Sequence, residues 1–215
     1  MTHVKICGIT NLNDALAAVT AGVDLLGFIF YEPSPRYVTP TVVKEIVSTL
    51  RSRNHKVICV GVFVDAPQET VSNILTLCDL DAVQLHGEES AQFLDSFAGR
   101  AFKVLRPTSL AEAEQRIEPY LPCEVDSHLP CFLLDAYHPN LYGGTGRVTD
   151  WSMAATIAQK HSIMLSGSLT VDNVAEAIEL VKPWGVDVSS GVELEKGKKD
   201  HTKISDFIDA VKKIK

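Results

Sequence analysis

The sequence predicts an α/β protein folded as a closed (β/α)8 TIM barrel, a single domain over residues 1–215. Three observations carry that prediction. Eight short apolar runs recur along the chain, with starts 20 to 32 residues apart. Amphipathic stretches of helical periodicity separate them. No linker, low-complexity segment, strong repeat or shift in composition divides the chain. Eight strand-then-helix units wind a parallel sheet through crossovers. An open doubly wound sheet, usually of about five or six strands, ranks second.

The strand-like runs are 3–7, 24–30, 56–64, 81–86, 101–106, 130–135, 162–166 and 185–189, several rich in Val, Ile and Phe. Between them, Leu12, Ala15, Leu16 and Val19 share one helical face over 11–21. Val174, Ala177, Ile178 and Val181 do so over 172–182. Asn11, Pro40, Pro67 and Thr170 stand where helices should start. The stretch 119–129, with Pro119, Pro122 and Asp126, reads as loop. In such a barrel the chemistry collects where strands end and βα loops begin.

Run 1 reads His-Val-Lys-Ile-Cys. Period two puts Val4 and Ile6 toward the helices, and Lys5 and Cys7 toward the interior. A nearby ammonium would favour the thiolate and lower the Cys7 pKa from its usual value of about 8.5. The competing reading is a buried cysteine beside a lysine that reaches for the rim. After run 2, two prolines stiffen Tyr31-Glu-Pro-Ser-Pro-Arg-Tyr and aim Arg36. A guanidinium there could clamp a carboxylate with two hydrogen bonds. It could equally be a surface arginine in a salt bridge of little worth.

Run 4 ends Gln-Leu-His-Gly. Gln84 and His86 share a face, which is odd for an apolar interior unless they line a site; His86 could also be a hydrogen-bonded structural histidine. Run 6 ends on Asp135. A carboxyl there is costly to bury unless paired or protonated, and partial burial could raise its pKa and make it a general acid. It could instead cap a helix or loop. Gly143, Gly144, Thr145 and Gly146 follow, a tight turn or a backbone cradle. Run 7 ends in Ser166, Gly167 and Ser168. Run 8 holds Asp187 and leads to Ser190 and Gly191. Small and hydroxyl residues after the last strands match the barrel phosphate site, where loop N–H groups hold the anion.

Composition excludes other classes. Lys and Arg number 20 against 27 Asp and Glu, for a net charge of −7. Basic residues cluster only at the tail and over 196–199, so no nucleic-acid partner is expected. No apolar run nears the roughly 18 residues of a membrane span, so no membrane partner is expected. Residues 1–10 lack a signal peptide's apolar core, which points to the cytoplasm. The five cysteines are odd in number and form no CxxC, so free thiols are expected, with Cys59 and Cys131 as small core residues. The seven histidines form neither HxxxH nor HExxH, and no metal is expected.

Taken together, these pieces resemble the phosphoribosylanthranilate isomerase family. The carriers are Val4-Lys-Ile-Cys-Gly-Ile, Gly27-Phe with Ser34-Pro-Arg-Tyr, Gly61-Val-Phe, Val83-Gln-Leu-His-Gly, Leu134-Asp, Gly143-Gly-Thr-Gly, Leu165-Ser-Gly-Ser-Leu-Thr with Asn173-Val, and Val186-Asp-Val-Ser-Ser-Gly-Val-Glu with Lys199-Asp. They run in order over nearly the whole length.

The resemblance implies a barrel that performs an Amadori rearrangement in tryptophan biosynthesis. N-(5′-phosphoribosyl)anthranilate becomes 1-(2-carboxyphenylamino)-1-deoxyribulose 5-phosphate. It implies Cys7 as general base, Asp135 as general acid and Arg36 on the anthranilate carboxylate. The phosphate would lie among Gly144, Thr145, Gly146, Ser166, Gly167, Ser168, Ser190 and Gly191, with Asp187 near the sugar hydroxyls. No cofactor is implied, since Schiff-base conjugation itself acidifies C2′–H. The partner implied is a small phosphosugar–anthranilate; the chain could be a monomer or a homodimer. Where the family usually has Gly-Gly after run 7, this chain has Gly167-Ser168. Two other readings remain. One is the sister isomerase of histidine biosynthesis, which carries an aspartate at the Cys7 position and a substrate with two phosphates. The other is a barrel that binds a phosphorylated ligand without turnover.

Overall fold

The computed structural model describes residues 2–135 and 150–214. Strand β1 (His3–Cys7) begins a closed barrel continued by β2 (Leu25–Ile29), β3 (Ile58–Phe63), β4 (Ala82–Leu85), β5 (Ala101–Leu105), β6 (Phe132–Leu134), β7 (Ile163–Leu165) and β8 (Gly185–Val188). Every pair is parallel, and β8 closes on β1 with Lys5 beside Asp187. All eight expected runs are strands, and the closed barrel, not the open sheet, is the architecture.

Helices α1 (Leu12–Ala21), α2 (Pro40–Ser52), α3 (Gln68–Cys78), α4 (Ala91–Asp95), α5 (Leu110–Ile117), α6 (Trp151–Ala158), α7 (Val174–Val181) and α8 (His201–Lys212) surround it. Their starts follow local chemistry. The Asn11 side chain accepts from Asp14 N, and Thr39 accepts from Val42 N with Pro40 in the first turn. Pro67 precedes α3 directly. The expectation at Thr170 needs correction. Thr170 and Asn173 close a turn, with Thr170 N donating to Asn173 Oδ1 at 2.8 Å, and α7 starts only at Val174. An Asx-type bond there competes with helical pairing. Beyond a 3-10 turn at Glu118–Tyr120, the stretch 119–129 carries neither helix nor ladder, as expected of a loop.

Two apolar clusters follow from strand alternation. Val4, Ile6, Leu26, Phe28, Val83, Leu85, Leu134 and Leu165 pack against the helices. Leu25, Val60, Ala82, Phe102, Val104, Leu133 and Met164 fill the barrel interior. Cys59 is fully buried, whereas Cys131 is only partly so, because it precedes β6 at the barrel's lower end. Among the described residues, no helix is long and apolar enough to cross a membrane.

Candidate active site

The interior turns polar at the carboxyl ends of the strands. There a cavity of about 760 Å³, measured to its open mouth, is lined by Cys7, Arg36, Gln84, His86, Asp135, Ser166, Gly167, Ser168, Asp187, Ser190 and Gly191, with Ile29, Val62 and Leu133 as its apolar wall. Eleven of the residues singled out in the sequence thus come together. Gly144, Thr145 and Gly146 lie outside the described residues.

Lys5 and Cys7 do point inward. Lys5 is fully buried and bonds Asp187 Oδ1 at 2.8 Å. Gly27, the register partner of Cys7, makes the room: a Cβ there would stand 2.8 Å from Cys7 Sγ and 3.1 Å from Lys5 Nζ. The expected depression of the Cys7 pKa is overturned. Burial pushes the thiol up from 9.0, the Lys5 ammonium pulls it down, Asp187 pushes it up again, and Lys199 opposes more weakly. Desolvation wins because Lys5 is already engaged by a carboxylate. Burial alone would lower Lys5; Asp187 and Cys7 reverse this and raise it.

Arg36 is not a surface arginine. It is 9% exposed and grips Glu193 through Nε and Nη2, each at 2.8 Å. Glu193 begins β9 (Glu193–Glu195), which pairs antiparallel with β10 (Lys198–Lys199). Lys199 Nζ reaches the same carboxylate at 3.1 Å and the Ser189 carbonyl at 3.0 Å. Burial would raise Glu193, but the Arg36 hydrogen bond and the Lys199 charge hold it below the usual carboxylate range. Sequence reasoning missed Glu193 and Lys199 as Arg36's supports; their place in the matching Val-Glu and Lys-Asp pieces was the only signal.

Asp135 is 5% exposed, and His86 Nε2 lies 3.6 Å from its Oδ2. The loop that carries His86 is braced from below. Lys103 bonds Glu89 at 2.8 Å, and Glu89 Oε1 accepts from Asp65 N at 2.9 Å and Gly87 N at 3.1 Å.

The loops after β7 and β8 meet at the cavity's other side. Gly167 has φ +98° and Ser168 φ +55°. Ser168 therefore holds a left-handed conformation that disfavours a residue with Cβ by about 1 kcal/mol. Asn173 Nδ2 steadies it by donating to the Ser168 carbonyl at 3.1 Å. A Cβ at Gly191 would run into the Leu169 carbonyl, so the two loops touch through bare backbone. Loops of this kind, with glycine backbone and hydroxyl side chains, suit an anion.

Comparison with known proteins places these features in context. A family model described as N-(5′-phosphoribosyl)anthranilate isomerase matches residues 4–210. The N-(5′-phosphoribosyl)anthranilate isomerase of Pelobacter propionicus is 48% identical over 208 residues, covering 97% of this chain and 94% of that one. The crystal structure of phosphoribosyl anthranilate isomerase from Thermotoga maritima superposes with a TM-score of 0.87 at 38% identity, covering 99% and 100% of the two chains. A phosphoribosyl anthranilate isomerase solved in complex with reduced 1-(o-carboxyphenylamino)-1-deoxyribulose 5-phosphate gives a TM-score of 0.84 at 37% identity, covering 99% and 100%.

Proposed function

The chain belongs to the N-(5′-phosphoribosyl)anthranilate isomerase family, an isomerase family of tryptophan biosynthesis, and from that premise we propose that Cys7 is the general base and Asp135 the general acid of its Amadori rearrangement. One observation carries the assignment of roles: a thiol and a carboxyl group, both buried at strand ends, line the same cavity.

The reaction needs one acid and one base. Asp135, protonated, gives its proton to the furanose ring oxygen, and the ring opens to a Schiff base. The Cys7 thiolate then removes the C2′ proton, and the enolamine tautomerises to the ketone. Each proton transfer contributes about 10²–10⁴ in rate. A raised thiol pKa makes Cys7 a stronger base but a scarcer thiolate at neutral pH, and the Lys5 and Lys199 charges offset part of that scarcity.

Arg36, held along one edge by Glu193, lines the cavity and is the proposed partner of the anthranilate carboxylate. The loops around Ser166, Gly167, Ser168, Ser190 and Gly191, with Gly144, Thr145 and Gly146, are the proposed phosphate site, and Asp187 and His86 its sugar-side neighbours. These local donors must act against a chain of net charge −7. The chemistry proposed uses no metal or cofactor. The five unpaired cysteines support a reducing compartment, the cytoplasm.

The test is turnover of N-(5′-phosphoribosyl)anthranilate by the purified protein, with the histidine-pathway aminoaldose as control, together with complementation of a tryptophan auxotroph lacking this step. Product binding without turnover would replace the proposal with a binding barrel.

A further inference from the structure

We propose that Gln84 is a positioning residue of this site: its side-chain amide holds His86 as the Nε2–H tautomer and so aims an imidazole N–H at the Asp135 carboxyl group. The proposal rests on the reading of Asp135 as the acid and deepens it.

Gln84 lies on β4, inward-facing and 2% exposed, one step below His86. Its interior company is apolar: Leu25, Val60, Ala82, Phe102 and Leu133. An amide in such surroundings destabilises the fold unless its polar atoms find partners. Gln84 finds one. Its Nε2 lies 3.4 Å from His86 Nδ1, while its Oε1 is buried with no hydrogen-bond partner. A methionine of similar length would fill the space with no amide of its own to satisfy, but it would leave His86 Nδ1 without this donor. The amide is therefore accounted for by what it does to the imidazole.

An amide NH2 can only donate. On this proposal Nδ1 accepts and carries no proton, which puts the ring proton on Nε2. That nitrogen is the one 3.6 Å from Asp135 Oδ2. The tautomer decides which way the Asp135 proton moves. With Nε2–H facing it, His86 takes no proton from Asp135, and the carboxylate left after transfer to the substrate's ring oxygen gains a hydrogen bond from His86 as its charge develops. Contacts of this length tighten in the complex with substrate. With the proton on Nδ1, the bare Nε2 would accept from the protonated carboxyl and hold that proton back from the ring oxygen.

The tautomer is read directly from long-range ¹H–¹⁵N spectra of the ¹⁵N-histidine-labelled protein, with His86 assigned by its loss in His86→Asn. A pyridine-type Nδ1 and a pyrrole-type Nε2 are expected; a pyrrole-type Nδ1 overturns the proposal without need of any further variant. Gln84→Met should cut kcat about tenfold with KM within about twofold, and Gln84→Glu, which can only accept and so draws the proton to Nδ1, should cut it further, about a hundredfold. Wild-type kcat in Gln84→Glu overturns the proposal. In an Asp135→Asn background Gln84→Met should change kcat no further, and a full second drop there overturns the relay. Wild-type turnover by Asp135→Asn would instead overturn the acid assignment, whereas the His86 spectrum tests the tautomer separately.

Discussion

Lys5 Nζ and Asp187 Oδ1 meet 2.8 Å apart inside the barrel, on register-paired residues of β1 and β8, with the Cys7 thiol beside the ammonium. The pair explains how a fully buried lysine keeps its charge, and its carboxylate opposes the pull of that charge on the thiol. Breaking it leaves an ammonium with no counter-charge in a closed interior. Asp187→Asn should therefore destabilise the fold by about 3–5 kcal/mol in chemical denaturation. A loss under about 1 kcal/mol would mean that water already reaches Lys5.

The thiol itself gives a second test. The difference between wild type and Cys7→Ala in thiolate absorbance should titrate with a midpoint above 9.0, because burial outweighs the Lys5 charge. The sign for stability follows. With its folded pKa raised, Cys7 contributes stability fully present below the unfolded value and lost as pH rises through the folded one. A midpoint below 9.0 would show that Lys5 and Lys199 dominate.

Removing either proton-transfer group should strike turnover rather than folding. Cys7→Ala and Asp135→Asn are each expected to cut kcat at least about a hundredfold, with thermal unfolding still cooperative. Wild-type-like turnover in a folded variant discards the role of that residue.

Arg36→Ala is expected mainly to raise KM, since the guanidinium is assigned to the substrate carboxylate and takes no part in proton transfer. It also leaves Glu193 with Lys199 as its remaining charged partner, so a moderate fall in stability should accompany it. An unchanged KM would remove Arg36 from the substrate site.

The Lys103–Glu89 pair beneath the His86 loop should show itself in the pH dependence of stability. Burial would raise Glu89, but Lys103 and the backbone donors lower it below 4.5. Its contribution is thus present above that pH and lost as pH falls through the folded value. Glu89→Gln should be less stable than wild type by about 3 kcal/mol at pH 7, with the gap closing in denaturation below pH 4.5. A gap independent of pH would assign the loss to packing.

Much of this molecule was legible residue by residue. The alternation in His-Val-Lys-Ile-Cys already turned Lys5 and Cys7 inward, because a strand's side chains alternate whatever surrounds them. The count of eight runs closed the sheet, and closure brought every strand's carboxyl end to one mouth. Cys7, His86, Asp135, Ser166 and Asp187 could therefore be gathered into one site from their positions at strand ends. What folding added was the choice of partner. Arg36 found Glu193, 157 residues away, and Lys5 found Asp187, 182 residues away. The upward shift of Cys7 depends on those pairings, because an ion pair's field on a neighbour is set by distance and burial, which no local pattern of residues encodes.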